Sequence, residues 1–325
     1  MRLDGKRAAP ALLFVLAGCD GPQSALSPAG AEADRMASLF WWMLAAAAAI
    51  WLLVLGTAVY ASRFKGEPIT PRRAGALILW GGVVFPTVLL AGLLSFGLAA
   101  MPALRAPGGT LQVEVVGKQY WWRVTYRRAG GRPIETANEI RLPAGERVEF
   151  LLSSPDVIHS FWIPSLGGKM DLVPGRTNRL VLEPTRIGTY RGACAEFCGP
   201  SHALMALVVT VLPPADFDAW LEGQARPQPP HPGQESRGFE LFMANGCAAC
   251  HAIRGTRADG AVGPDLTHLG SRATIAAGIL ENSQSSRARF IAAPAEIKPG
   301  VKMPPYGALP TADLQALAAF LGELK

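Results

Sequence analysis

The sequence predicts a multidomain membrane protein: a two-helix transmembrane hairpin, then an all-β sandwich or barrel, then an all-α module. Three observations lead there. Two stretches, Leu39–Ala61 and Ala74–Met101, carry no charged side chain. From Leu111 onward, apolar and polar residues alternate in short runs broken by turn signals. The last 90 residues turn helical at both ends. The chain has 325 residues, half of them hydrophobic and 17% charged, against an ordinary charged share of about 25%. That composition excludes a wholly disordered or wholly soluble protein, and the absence of any self-similar period excludes a repeat array. Net charge is +6, but it is dispersed. Residues 105–223 carry 13 basic and 12 acidic side chains, and residues 236–325 carry 9 and 7. No clustered cationic face results, so nucleic acid is not an expected partner.

Residues 1–19 read as an export signal. Arg2, Lys6 and Arg7 precede the short apolar core Ala8–Ala17. Leu16-Ala17-Gly18-Cys19 also matches the bacterial lipobox, in which the cysteine is lipidated. The hairpin occupies residues 20–104. At 1.5 Å per residue, each apolar stretch is long enough for a hydrocarbon core of about 30 Å. The loop between them, Ser62–Arg73, holds Arg63, Lys65, Arg72 and Arg73 against Glu67 alone. The positive-inside rule puts that loop in the cytoplasm, and everything after Met101 on the outer face. Trp41, Trp42 and Tyr60 fit interfacial positions.

Residues 105–223 form the β module. Leu111–Val115 and Arg147–Leu151 alternate as half-buried strands do, and Leu204–Leu212 is a β-rich run. Gly130-Gly131 and Pro174-Gly175 mark turns. Ala215–Gly223 reads as a short helix. Residues 224–235, with Pro227, Pro229, Pro230 and Pro232, read as a stiff linker. Helices are expected at Ser236–Asn245 and Thr311–Leu324 of the last module, residues 236–325.

Cys247-Ala248-Ala249-Cys250-His251 is the C-x-x-C-H pattern of c-type haem attachment. Two thiols add to the vinyl groups of one porphyrin, and the adjacent imidazole reaches the iron. A redox C-x-x-C is the alternative; the motif's place after a helix and outside the membrane favours haem. A soft second axial ligand suits a high potential. Met303, on the proline-rich run Lys302-Met303-Pro304-Pro305, is the candidate, while Met243 reads as core. Gly263-Pro264-Asp265-Leu266 fits the loop over the proximal histidine, with the Pro264 carbonyl available to the imidazole N–H. His268 reads as a surface histidine.

Cys194, Cys198, His202 and Met205 fall on one twelve-residue loop before a β-run, and His159 follows a turn at Asp156-Val157-Ile158. Thiolate, thioether and imidazole ligands together select copper. A mononuclear blue-copper site needs one cysteine, and this loop has two. Two thiolates, two imidazoles, one thioether and a main-chain carbonyl suffice for two copper ions bridged by both sulfurs. A Cys194–Cys198 disulfide leaves His202 and Met205 unexplained, and a zinc site leaves Met205 unexplained.

At these residues the chain resembles subunit II of the haem-copper cytochrome c oxidases, and the fused haem c module makes it similar to the caa-type members. The resemblance implies a cupredoxin Greek-key domain carrying a binuclear CuA centre, and an all-α cytochrome c domain. It implies copper ligation by His159, Cys194, Cys198, His202 and Met205, with the Glu196 backbone carbonyl as a further ligand. The Glu196 carboxylate then points to a magnesium shared with the catalytic subunit. Electrons are expected to pass from cytochrome c or a respiratory reductase through haem c and CuA to haem a of subunit I, where oxygen is reduced. The chain is then a subunit of an oxidoreductase in the bacterial plasma membrane, with both termini outside and other oxidase subunits and membrane lipid around it. Two departures stand out. In Gly117-Lys118-Gln119-Tyr120-Trp121-Trp122, Tyr120 stands where the family usually has the tryptophan that accepts electrons from soluble cytochrome c, so Tyr120, Trp121 and Trp122 share the candidacy for that role. No acidic residue occurs between Glu67 and Glu114, so proton uptake through a glutamate of the second helix does not carry over. Three other readings compete. A CuA-containing nitric oxide reductase shares both cofactors. A copper carrier has no use for haem, and a quinol-oxidase subunit lacks the ligand loop.

Overall fold

A computed structural model describes residues 20–64, 66, 69–227 and 236–325. The export signal, Cys19 and linker residues 228–235 lie outside the described residues.

Helix α1 spans Ala31–Arg63. The second hydrophobic stretch runs as α2, Pro71–Leu77, a π-helical segment, Ile78–Val84, and α3, Phe85–Arg105. Pro86 explains the interruption. It has no N–H to give and its ring crowds the carbonyl four residues back, so the preceding turn widens. The Phe85 N–H accordingly reaches Trp80 O, five residues back. Both stretches are long and apolar enough to cross a membrane, and their spanning windows are unburied. Trp42, Trp51, Leu53, Trp80 and Leu94 all lie open, as lipid-facing side chains do.

The β domain is two five-stranded sheets. One has the order β3 (Ile134–Ala137), β2 (Trp121–Arg128), β1 (Leu111–Lys118), β5 (Val148–Ser153), β8 (Asn178–Leu182). The other has the order β4 (Glu139–Pro143), β10 (Ala206–Leu212), β9 (Gly188–Cys194), β6 (His159–Trp162), β7 (Met170–Leu172). β1 pairs in parallel with β5, and β4 with β10; the remaining pairs are antiparallel. This is the cupredoxin-type sandwich. The alternation in β1 and β5 puts every second side chain inside. Trp122, Phe150 and Phe161 meet between the sheets with ring centroids 5.3–5.8 Å apart. Full burial of each such side chain is worth about 1.5–3 kcal/mol.

The segment before α1 and the first turn of that helix are stitched to the sandwich. The Ala29 N–H donates to Ser165 O at 2.7 Å, and the Glu183 N–H donates to the Glu32 carboxylate at 2.9 Å. Helix α4, Pro214–Ala225, follows β10 and takes in Gln224 and Ala225, so the extended linker starts after them.

In the C-terminal domain, α5 (Arg237–Ala244) is capped by the Ser236 hydroxyl, which accepts from Phe239 N–H at 3.3 Å. Helix α6 is Gln284–Ala292, α7 is Pro294–Ile297 and α8 is Thr311–Glu323. Phe239 and Phe242 pack on Phe320 of α8, and Arg237 Nε donates to Asp313 at 2.8 Å. A two-stranded ribbon, β11 (Thr274–Ile275) with β12 (Leu280–Glu281), turns through Ala276-Ala277-Gly278. His268 is not a surface residue. It is 7% exposed, and its Nε2 donates to Arg226 O at 3.2 Å, because the chain leaving α4 passes over it.

Candidate functional site

The loop after β9 brings the sulfur ligands together. Cys194 ends β9 and Cys198 lies four residues on, with the two Sγ atoms 3.8 Å apart. His159, at the start of β6, places Nδ1 3.8 Å from Cys194 Sγ. His202 Nδ1 is 3.7 Å from Cys198 Sγ, Met205 Sδ is 3.9 Å from it, and Glu196 O is 3.2 Å from Cys194 Sγ. His159, Cys194, Cys198 and Met205 are buried. All six donors predicted from the sequence thus converge. The set fits copper: sulfur and imidazole atoms crowd together in an apolar shell, both thiols are free, and no carboxylate that would suit a harder ion belongs to the cluster.

The thiols titrate as a pair. The Cys198 thiol hydrogen-bonds to Cys194 and pulls its pKa far below the ordinary thiol range, while that same interaction, reinforced by burial, pushes Cys198 up.

Three further residues hold His159, and spacing alone did not single them out. The Asp156 carboxylate accepts from His159 Nε2 at 2.9 Å, and also from the N–H groups of Gln119 and Val157. That leaves Nδ1 as the free nitrogen on the cluster side. Burial opposes the charged imidazole, yet the bonds to Cys194 and Asp156 outweigh it and keep the pKa above its ordinary value. Gly117 lies under the ring: a Cβ there would stand 2.9 Å from His159 Cδ2. Gln119 Nε2 donates to Cys198 O at 2.6 Å and fixes the loop. The Asp156 turn three residues before His159 was the available signal for the carboxylate; Gly117 in β1 and Gln119 just after it act through space and leave none.

The second site is a cavity of about 390 Å³ whose lining includes Cys247, Cys250, His251 and Met303. His251 Nδ1 donates to Pro264 O at 2.8 Å, leaving Nε2 free for a metal. Burial lowers the imidazole pKa, which favours the neutral ligand form. Gly263 lies against this ring, with a built Cβ only 2.6 Å from Cε1. Two free thiols, an oriented imidazole and a thioether on one apolar cavity fit a covalently attached haem. Met243 packs on the domain core, as expected.

The aromatic run lies between the two sites. Trp122 is fully buried, edge-on to the His159 ring at 6.1 Å. Tyr120 is 3% exposed, and Tyr120 and Trp121 line the cavity that holds His251. The Glu196 side chain is exposed and joins no cluster of metal-ligating groups among the described residues.

Fold and site together define a membrane-anchored cupredoxin joined to a c-type cytochrome domain. The family model for the periplasmic domain of cytochrome c oxidase subunit II matches residues 125–212, and that for cytochrome c matches residues 235–325. Cytochrome c oxidase subunit 2 of Bacillus sp. strain PS3 is 34% identical over 97% of this chain and 95% of its own length. That of Alkalihalophilus pseudofirmus strain OF4 is 41% identical over 66% of this chain and 62% of its own length. A crystal structure of the periplasmic domain of subunit II of cytochrome oxidase of Bradyrhizobium japonicum is 27% identical, covering 37% of this chain and 95% of that one, with a TM-score of 0.34. The chain belongs to the cytochrome c oxidase subunit 2 family.

Proposed function

We propose that this chain takes in electrons for a haem-copper oxidase, receiving them at its cytochrome c domain and passing them through its copper loop to a catalytic subunit I that reduces oxygen. The observation that carries this reading is the convergence of His159, Cys194, Cys198, His202, Met205 and the Glu196 carbonyl on one loop cluster, beside a cavity lined by Cys247, Cys250, His251 and Met303. When bound, a binuclear copper centre and a haem c supply one-electron carriers of low reorganisation.

The chain's own residues hold those carriers. Cys194 and Cys198, as thiolates, would hold the copper together with His159, His202, Met205 and the Glu196 carbonyl. Asp156 keeps His159 in the tautomer that presents Nδ1, and Pro264 keeps His251 in the one that presents Nε2. The sandwich core excludes water from the sulfurs. Tyr120 lines the cavity and sets its hydroxyl against Gly199 of the copper loop. The hairpin anchors the chain in lipid with both metal domains on the outer face of the membrane, and the linker keeps the cytochrome domain at high effective concentration. Cytochrome c or a respiratory reductase is the donor. A magnesium at Glu196 requires ligands from subunit I.

The test is purification of the native complex from membranes. Copper, haem c and an oxygen-reducing subunit in one complex that consumes oxygen with reduced cytochrome c is the expected result. A complex that reduces nitric oxide and not oxygen, or a chain isolated free of any oxygen-reducing subunit, overturns it.

A further inference from the structure

Two short segments of the cytochrome domain touch the copper loop right beside its ligands. Ser201, fully buried and next to His202, donates its hydroxyl to Pro299 O at 2.7 Å. The Ala206 N–H, next to Met205, donates to Ala277 O at 3.1 Å. Lys298 joins the two segments. Its side chain is 2% exposed, and its Nζ donates to Tyr120 O at 2.6 Å in the sandwich and to Ala276 O at 3.0 Å in the cytochrome domain. A Cβ on Gly300 would stand 3.3 Å from the Tyr120 hydroxyl, so Gly300 lies close against that ring. Met303 follows three residues later.

Two features show that these contacts are specified. Lys298 has no carboxylate at ion-pair distance among the described residues. A buried ammonium held only by carbonyls contributes less to stability than an apolar side chain of the same size. Its directional bonds, one to each domain, are what it adds. Ala276 and Ala277 both have left-handed backbone, φ 54° and 60°. Non-glycine residues keep that conformation only where their surroundings over-determine it. Here it aims two successive carbonyls, one at Lys298 and one at the residue beside Met205.

We propose that Lys298-Pro299-Gly300 and the Ala276–Gly278 turn form a latch that positions the Met303 loop against the copper loop, with Lys298 as its positioning residue. The connection is direct. From Met303 the chain runs back to the Pro299 carbonyl, one hydrogen bond reaches Ser201, and His202 is the next residue. The latch rests on the electron-transfer reading for its purpose, and on contacts alone for its existence.

The full-length chain in detergent, carrying both cofactors, tests it by two readouts. One is backbone amide exchange over residues 117–122, 205–207 and 298–303. The other is the rate at which an electron moves from ferrous haem, leaving it ferric, into the oxidised copper pair. Lys298→Met is expected to speed exchange in those segments, and to slow transfer, by about tenfold, the scale of a hydrogen bond to a charged group. Copper and haem spectra stay unchanged. Ser201→Ala, losing a neutral bond, is expected to change both by about threefold, and it serves as the test should Lys298→Met fail to fold. Unaltered exchange in the variant that folds overturns the latch. Faster exchange with unaltered transfer overturns its role in positioning. If the parent chain shows no haem-to-copper transfer, the electron-transfer reading fails, and amide exchange still decides the latch.

Discussion

In the sandwich, the ring of His159 rests over Gly117 and donates a hydrogen bond from Nε2–H to the Asp156 carboxylate. In the cytochrome domain, the ring of His251 rests against Gly263 and donates a hydrogen bond from Nδ1–H to the carbonyl of Pro264. Both domains fix an imidazole from two sides, with a glycine that leaves the ring no other place and an acceptor that selects the tautomer. They differ in the acceptor. Burial opposes the charged ring of His159, but the bonds to Cys194 and to the Asp156 carboxylate outweigh it, and its pKa lies above the ordinary value. A neutral carbonyl in a buried setting leaves His251 below it. The surroundings match. The loop after β9 and His159 gather six candidate donors in one tight cluster, whereas Cys247, Cys250, His251 and Met303 line a cavity.

The comparison can be broken most severely at the sulfurs. Cys198→Ser is expected to abolish the binuclear centre. Electron paramagnetic resonance of the copper-loaded chain should lose its shared-electron signal while the haem absorption spectrum stays intact. Next come the glycines. Gly117→Val drives a side chain into a fully buried ring, so copper measured per chain should fall severely, whereas Gly263→Val should spare copper and perturb the haem spectrum. Asp156→Asn keeps the shape but not the charge. Losing such a partner weakens metal affinity by about 10- to 100-fold, which competition with a copper chelator would read. The smallest change expected is at Met303→Leu. Haem stays attached through Cys247 and Cys250, and its reduction potential falls, because a thioether axial ligand raises it; a redox titration checks this.

What sequence alone revealed follows from where the information sits along the chain. Cys247-Ala248-Ala249-Cys250-His251 and the loop from Cys194 to Met205 are contiguous, so chemistry and spacing appear together. The hairpin is visible in composition alone, and the strands in alternation. The π-helical turn before Pro86 is invisible to composition; its one sequence signal is Pro86 itself, twelve residues into the apolar stretch, where a missing N–H must be absorbed by the preceding turn. Gly117 and Gln119 act on residues some 40 to 80 positions away in the chain, and nothing local marks them. Nothing local in the sequence marks Lys298 at all, and His268 reads as a surface histidine. Burial of each depends on carbonyls supplied by distant segments, Tyr120 and Ala276 for the first and Arg226 for the second.

The most direct test of the central claim is an electron paramagnetic resonance spectrum of the full-length chain, matured with haem and loaded with copper. One electron shared over two equivalent copper nuclei of spin three-halves gives seven hyperfine lines. Seven lines, together with a c-type haem absorption spectrum from the same sample, is the result predicted here. Four lines would mean a mononuclear site. They would contradict the assignment of both Cys194 and Cys198 as bridging ligands.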